Sequence, residues 1–202
     1  MLLHRYMATY NNIFKIRHND LLPDKGSILI SEPFLQDAYF QRSVVLLIDH
    51  NANGSMGFVL NKKTNLVIND FFSDLEKLSG IPIYLGGPVS PNRLFFIHTL
   101  GHLIPDSLKI SDNLYFDGDF DILKQYILDG NTIKGKVKFF LGYSGWTEGQ
   151  LGSEINEDFW VVSHSIADIL VAEGESCWRH SLEILGKRYK NWINYPRDPS
   201  MN

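Results

Sequence analysis

The stretch Ser43-Val-Val-Leu-Leu-Ile-Asp-His-Asn-Ala-Asn-Gly-Ser-Met-Gly-Phe-Val-Leu-Asn61 decides the architecture. Val44 to Ile48 is apolar on both alternating faces, which predicts a central strand covered on both sides. Asn51-Ala-Asn-Gly54 supplies residues that tolerate a left-handed turn. Met56 to Asn61 then returns. A buried strand, a tight turn and a returning strand predict an antiparallel hairpin in the interior of a sheet.

Before this hairpin, Ser27–Ser31 reads as a short strand ended by Glu32-Pro33, because proline holds the preceding residue extended and lacks a donor. Residues 1–25 read as an N-terminal extension closed by the turn Leu21-Leu-Pro-Asp-Lys-Gly26, with Ile13, Phe14 and Ile16 available to pack on the domain. After the hairpin, Val67, Phe71, Leu75 and Leu78 recur at helical spacing, predicting a helix stopped by Gly80 and Pro82. Short strands are expected at Ile83–Leu85, Arg93–Leu100, Leu114–Phe116, Val137–Leu141 and Phe159–Ser163. Helices are expected at about 120–129, 165–173 and 177–190. Strands and helices mix without a regular βαβ alternation, so the fold class is α+β with a mixed, mainly antiparallel sheet flanked by helices. Residues 26–190 read as one domain and 191–202 as a polar tail.

The 202 residues are 44% hydrophobic and 21% charged, the balance of an ordinary globular chain. A net charge of −4 disfavours a protein that lives on phosphate backbones. The single Cys177 excludes an internal disulfide framework and a multi-cysteine zinc site, and fits a reducing cytoplasm. The N-terminus lacks an apolar core of signal-peptide length, and no apolar run reaches the eighteen or so residues of a spanning helix. The expected location is therefore cytoplasmic, with no membrane partner.

The richest chemistry lies in Phe139-Phe-Leu-Gly-Tyr-Ser-Gly-Trp-Thr-Glu-Gly-Gln-Leu-Gly-Ser-Glu154. A strand is expected to feed a glycine turn carrying an exposed Trp146, with Gln150 and Glu154 on one face of a short helix. Such a loop, rimmed by an aromatic and by amide and carboxylate groups, suits binding, or else covers a sheet edge and caps its own turn. Gly142-Tyr-Ser-Gly-Trp146 nearly spells a nucleophile elbow, but Trp146 stands where the second glycine belongs. His98 and His102 have metal-pair spacing, yet Gly101 breaks any helix between them. Asp117, Asp119 and Asp121 begin like a calcium loop, but Ile122 and Leu128 replace its glycine and glutamate, so helix capping is the better account. Gly86-Gly-Pro-Val89 reads as a tight turn rather than a phosphate loop, because Pro88 removes an amide donor. The last two predicted helices have helix-turn-helix proportions, and Arg179, Lys187, Arg188 and Lys190 form a basic set. Trp178, Leu182, Leu185 and Tyr189 nevertheless demand burial of the same helix.

The chain resembles the YqgE/AlgH family of bacterial proteins from about Gly26 to Gly186. The segments that carry the resemblance are Gly26-Ser-Ile-Leu-Ile-Ser-Glu-Pro33, Phe40-Gln-Arg-Ser-Val-Val-Leu-Leu47, Gly57-Phe-Val-Leu-Asn61, Tyr84-Leu-Gly-Gly-Pro-Val89 and Gly142-Tyr-Ser-Gly-Trp-Thr-Glu-Gly-Gln-Leu151, with Glu154 and Trp160. The resemblance implies an α+β fold whose sheet has a small barrel-like portion. It also implies a transcriptional-regulator role for exopolysaccharide genes, without known catalytic residues or a cofactor. The family tolerates alanine at the Ser144 position, which counts against a serine nucleophile.

No acid, base and nucleophile assemble in the sequence, so the expected protein binds rather than catalyses, and regulates indirectly. Its candidate surface for a protein or small ligand comprises Asn61, Gly86, Gly87, Pro88, Tyr143, Gly145, Trp146, Glu148, Gln150 and Glu154. No catalytic or metal-ligating residues and no cofactor are expected. The alternatives are direct DNA binding through Arg179, Lys187, Arg188 and Lys190, and hydrolysis by Ser144 with a distant His98 or His164.

Overall fold

The computed structural model describes residues 16–72, 74, 75, 80–165 and 169–197. Among the described residues ten strands form one sheet: β1 (Ile28–Ser31), β2 (Val44–Asn51), β3 (Gly54–Val59), β4 (Lys63–Val67), β5 (Pro82–Leu85), β6 (Val89–His98), β7 (Leu108–Ser111), β8 (Leu114–Phe116), β9 (Val137–Thr147) and β10 (Trp160–Ser163). Among the described residues four α-helices flank it: α1 (Phe120–Leu128), α2 (Gln150–Asn156), α3 (Gly174–Ile184) and α4 (Lys187–Lys190). The hairpin forms as read, with Val45 opposite Val59 and Asn51 opposite Gly54. Val44 to Leu47 are fully buried, as a strand covered on both faces requires.

The main path through the sheet is β10-β1-β2-β3-β9-β6-β8-β7, with β5 joining β9 and β4 joining β5. Pairing is antiparallel except between β5 and β9, where Ile83 to Leu85 run parallel to Phe139 to Leu141. The fold is thus α+β with a mainly antiparallel sheet and flanking helices. The path is open from β10 to β7, so the barrel-like portion does not close.

Strand β9 organises the whole. Its first half lies between β6 and β5, while its second half pairs with β3, from Gly54 opposite Thr147 to Gly57 opposite Ser144. Alternation along it feeds different cores: Phe139 packs with Ile83, Phe96 and Leu123, whereas Phe140 packs with Phe58, Tyr84 and Trp178. A third cluster gathers Val45, Val59, Trp146 and Trp160. Ile16 is fully buried in the second of these cores, while Ile13 and Phe14 lie outside the described residues.

Three expectations about elements change. Strand β9 continues through Thr147, so the glycine turn expected after Leu141 is strand. Val67 ends strand β4, and Ile68–Asp70 follows it as a 3-10 turn, with positions 74 and 75 again 3-10. The expected helix Val67–Leu78 therefore does not start there, and its positions 73 and 76–78 lie outside the described residues. The closing helix at 177–190 starts earlier and is interrupted at Leu185 and Gly186, giving α3 and the four-residue α4. Of the preceding helix at 165–173, positions 166–168 are outside the described residues and 169–171 form a turn. Trp192, in a 3-10 turn at Asn191–Asn194, is buried against Tyr189.

Candidate functional site

The two glycine motifs singled out in the sequence meet each other. Gly142 sits at φ +64, a left-handed conformation that lets β9 bend between its two sets of partners. Gly86 and Gly87 lie against that bend: a Cβ on Gly86 would stand 2.2 Å from the Gly142 carbonyl oxygen, and one on Gly87 would stand 2.3 Å from the Tyr143 carbonyl carbon. The Gly86 amide donates to the Leu141 carbonyl at 2.8 Å, and the Gly86 carbonyl accepts the Val59 amide at 2.9 Å. Gly86-Gly87 is therefore a backbone crossing rather than a phosphate cradle.

The polar residues after the bend bond chiefly inward. Trp146 is 6% exposed, contrary to the expectation of an exposed ring, because β9 remains a strand there and turns the side chain into the third core. Glu154 accepts both indole N–H groups, from Trp146 and Trp160, each at 2.8 Å, and its other oxygen accepts Gln150 Nε2 at 2.9 Å. Gln150 Oε1 in turn accepts the Thr147 amide at 3.0 Å. Asn61 is buried: its Oδ1 accepts the Val44 amide at 3.0 Å, and its Nδ2 donates to the carbonyls of Arg42 and Gly174 at 3.0 and 2.9 Å. On the solvent side, Tyr143, Gly145 and Thr147 face a shallow groove of about 440 Å³ shared with Met56, Val89 and the hairpin tip. Gly145 is exposed within it, and Pro88, Glu148 and Gln150 are exposed nearby in sequence.

A larger cavity, of about 700 Å³, opens at the other end of β9. Ile81, Tyr84, Lys138, Leu170, Val171 and Glu173 contribute to its walls. Lys138 is 2% exposed, between the buried Val137 and Phe139 in strand β9. Its Nζ donates to the Ala172 carbonyl and lies 3.8 Å from the centre of the Tyr84 ring. The Tyr84 hydroxyl donates to Glu173 Oε2 at 3.1 Å, and Glu173 Oε1 accepts Lys63 Nζ at 3.1 Å. Burial pulls the Lys138 amine down to about 7, against the weaker upward pull of Cys177 and Glu173. Burial, reinforced by the bond to Glu173 and its charge, holds the Tyr84 phenol up at about 12, and burial holds the Cys177 thiol up at about 11. Sequence reading missed Lys138. The available signal was a lone lysine inside Val137-Lys-Phe-Phe-Leu141, a run otherwise apolar enough to be a core strand.

A model of a family described as AlgH-like matches residues 28–190. The chain belongs to this AlgH-like family. A UPF0301 protein of Parabacteroides distasonis is 68% identical over 198 residues, covering 97% of this chain and 100% of that protein. A UPF0301 protein of Bacteroides fragilis is 48% identical over 197 residues, covering 97% and 100%. The solution structure of the AlgH protein from Pseudomonas aeruginosa is similar at a TM-score of 0.67 and 26% identity, covering 88% of this chain and 98% of that one. A crystal structure from Corynebacterium diphtheriae shares the fold at a TM-score of 0.73, with 18% identity and coverage of 91% and 97%.

In this AlgH-like chain the hydrolase residues lie apart. Ser144 is fully buried and its hydroxyl donates to the Gly86 carbonyl at 3.0 Å. His98 is fully buried as well: its Nδ1 accepts the Leu100 amide at 3.1 Å, which places its proton on Nε2, facing the Asp117 carbonyl at 2.9 Å. His164 bonds to Ser27. Asp119 caps α1, accepting the Ile122 amide at 3.1 Å, as the capping account of that acidic run expects. No group of three or more His, Cys, Asp or Glu able to hold a metal occurs among the described residues. Of the basic set, Arg179 is bonded to Glu175 at 3.0 Å, while Lys187, Arg188 and Lys190 sit on the four-residue α4, whose Tyr189 is buried. No helix among the described residues is long and apolar enough to cross a membrane.

Proposed function

We propose that the protein binds a small ligand in the cavity at the start of β9 and acts through a partner, without a substrate of its own to turn over. One observation carries this reading. The cavity's volume of about 700 Å³ falls in the roughly 300–1,000 Å³ range of small-molecule sites, and a few polar groups converge on a largely apolar wall. Those groups, the Lys138 amine and the Tyr84–Glu173 pair, are fixed on strand β5, strand β9 and the segment leading into α3, so the site needs little reorganisation to receive a ligand.

The partner surface is assigned to the groove around Tyr143, Gly145 and Thr147, together with Pro88, Glu148 and Gln150. A regulatory role of the kind expected for the family is then indirect. The test is a fragment screen followed by amide chemical shifts. Binders are expected to move amides at 131–138 and 170–173, and Val171→Trp is expected to abolish them by filling the entrance. Binders that act only elsewhere, or that ignore the substitution, would refute the cavity as the ligand site. Partner capture from cell extract is expected to fall with Gly145→Asn, which puts a side chain into the groove and its Cβ 3.2 Å from the Tyr143 ring. Fluorescence anisotropy against genomic DNA fragments at about 50 and about 200 mM salt is expected to show no binding. Sequence-selective binding at the higher salt would move the site to Arg179, Lys187, Arg188 and Lys190.

A further inference from the structure

The amine in the cavity has an arrangement that ligand binding alone does not require. A buried lysine is ordinarily paired with a carboxylate. Among the described residues no carboxylate lies within ion-pair distance of Lys138, whose recorded partners are the Ala172 carbonyl and the face of the Tyr84 ring. Glu173, the carboxylate on the same wall, has both oxygens engaged, one by the Tyr84 hydroxyl and the other by Lys63. The Ala172 carbonyl and the Tyr84 ring face favour the ammonium, but neither is a full counter-charge, and the apolar wall of Ile81, Val137, Leu170 and Val171 disfavours the charge.

We propose that Lys138 forms an imine with a small carbonyl compound, an aldehyde or a 2-oxo acid, seated in this cavity. The inference rests on the cavity being the ligand site and names the ligand's reactive class. An amine held near 7 is unprotonated in about half of the molecules at neutral pH, whereas an exposed lysine near 10.4 is almost wholly charged. The nitrogen lone pair attacks the carbonyl carbon and a C–N bond forms. The proton shed by nitrogen reaches the former carbonyl oxygen, and the resulting carbinolamine loses that oxygen as water. Amine and carbonyl therefore give imine and water, with no oxidant or reductant. Burial retards the reverse hydrolysis by limiting water at the C=N bond. The exposed amine of Lys134, on the rim, is a ready counter-charge for the carboxylate of a 2-oxo acid.

Reductive trapping tests this on the intact chain. Purified protein is treated at about pH 7 with limiting formaldehyde, or with glyoxylate, in the presence of cyanoborohydride. Modified lysines are then located by peptide mass spectrometry. Lys138 is expected to be labelled at least about tenfold faster than the exposed Lys25 and Lys109, with a pH midpoint near its own value rather than near that of a free lysine. Val171→Trp is expected to suppress glyoxylate labelling of Lys138 while leaving Lys25 unchanged. Lys138→Met, which keeps the chain length and removes the amine, should leave that peptide unmodified in a protein that still melts cooperatively. Labelling of Lys138 no faster than Lys25 by either reagent would overturn the imine. So would labelling by formaldehyde without glyoxylate, because an amine that admits nothing larger has no ligand. If fragments still bind the cavity in that case, only the imine fails; if none binds, the cavity reading fails with it.

Discussion

Asn61 and Glu32 show how single side chains in the most recognisable motifs spend their chemistry on the fold. Asn61 closes three backbone groups at once, the Val44 amide and the carbonyls of Arg42 and Gly174. Asn61→Ala leaves all three buried or half-buried groups without that partner and is expected to cost about 2–3 kcal/mol in urea unfolding. A loss well below 1 kcal/mol would return Asn61 to the list of surface binding groups. Glu32 is fully buried, with Oε2 accepting the Phe34 amide at 2.7 Å and Oε1 among the buried atoms without a hydrogen-bond partner. Burial raises its carboxyl to about 8; the Phe34 bond opposes this and the charge of Asp158 adds to it. The folded state therefore holds a proton that the unfolded state releases above about 4.5, so this residue's contribution to stability falls as pH rises from about 4.5 to about 8. Glu32→Gln cannot ionise and should become progressively more stable than wild type across that window, by a few kcal/mol at its upper end as an order of magnitude. Parallel stability–pH curves for the two proteins would contradict the assignment.

At the scale of elements, the crossing of the Gly86-Gly87 turn over the β9 bend joins the two halves of the sheet. Gly86→Ala drives a Cβ against the Gly142 carbonyl oxygen and to 2.8 Å from the Phe58 ring. Backbone must move to relieve this, so a loss of about 3 kcal/mol or more is expected, with β3 and β9 amides exchanging faster with solvent. A neutral substitution would mean that the crossing is looser than its distances indicate. The Asn51–Gly54 hairpin, strands β1, β2, β5, β8 and β10, and helix α1 were legible in the sequence because their periodicity or turn chemistry is local. Strands β4 and β7 were not. Lys63–Val67 is mostly exposed and lacks an apolar alternation, so pairing with β5 is what makes it a strand. The continuation of β9 past Gly142 was hidden for the same reason: glycines read locally as a turn, and pairing of Gly145 with Met56 and of Trp146 with Ser55 overrides that reading.

For the molecule as a whole, Glu175 ties the C-terminal segment to the sheet. It accepts from Arg42, Arg179 and Arg197, and Arg42 also donates to the Tyr195 carbonyl at 2.6 Å and stacks on Trp178. Burial tends to raise the Glu175 carboxyl, but the bonds from Arg197, Arg42 and Arg179 outweigh it and hold the group at about 2. Its contribution is present above about 4.5 and is lost as pH falls toward about 2. Hydrogen exchange at α3 and residues 191–197 should therefore rise over that acid range, and Glu175→Gln should show the raised exchange already at neutral pH. Unchanged exchange there would mean that Trp178 and Trp192 alone dock the segment. The sequence by itself determined the α+β class, the central hairpin and the family, because alternation, turn residues and motif spacing are properties of neighbouring residues. Only the tertiary structure decided which polar residues face solvent. It turned Trp146 and Asn61 inward, and it enclosed the amine of Lys138 beside Tyr84 and Ala172, residues far from it in sequence, because burial and desolvation are set by what packs across the sheet rather than by what adjoins along it.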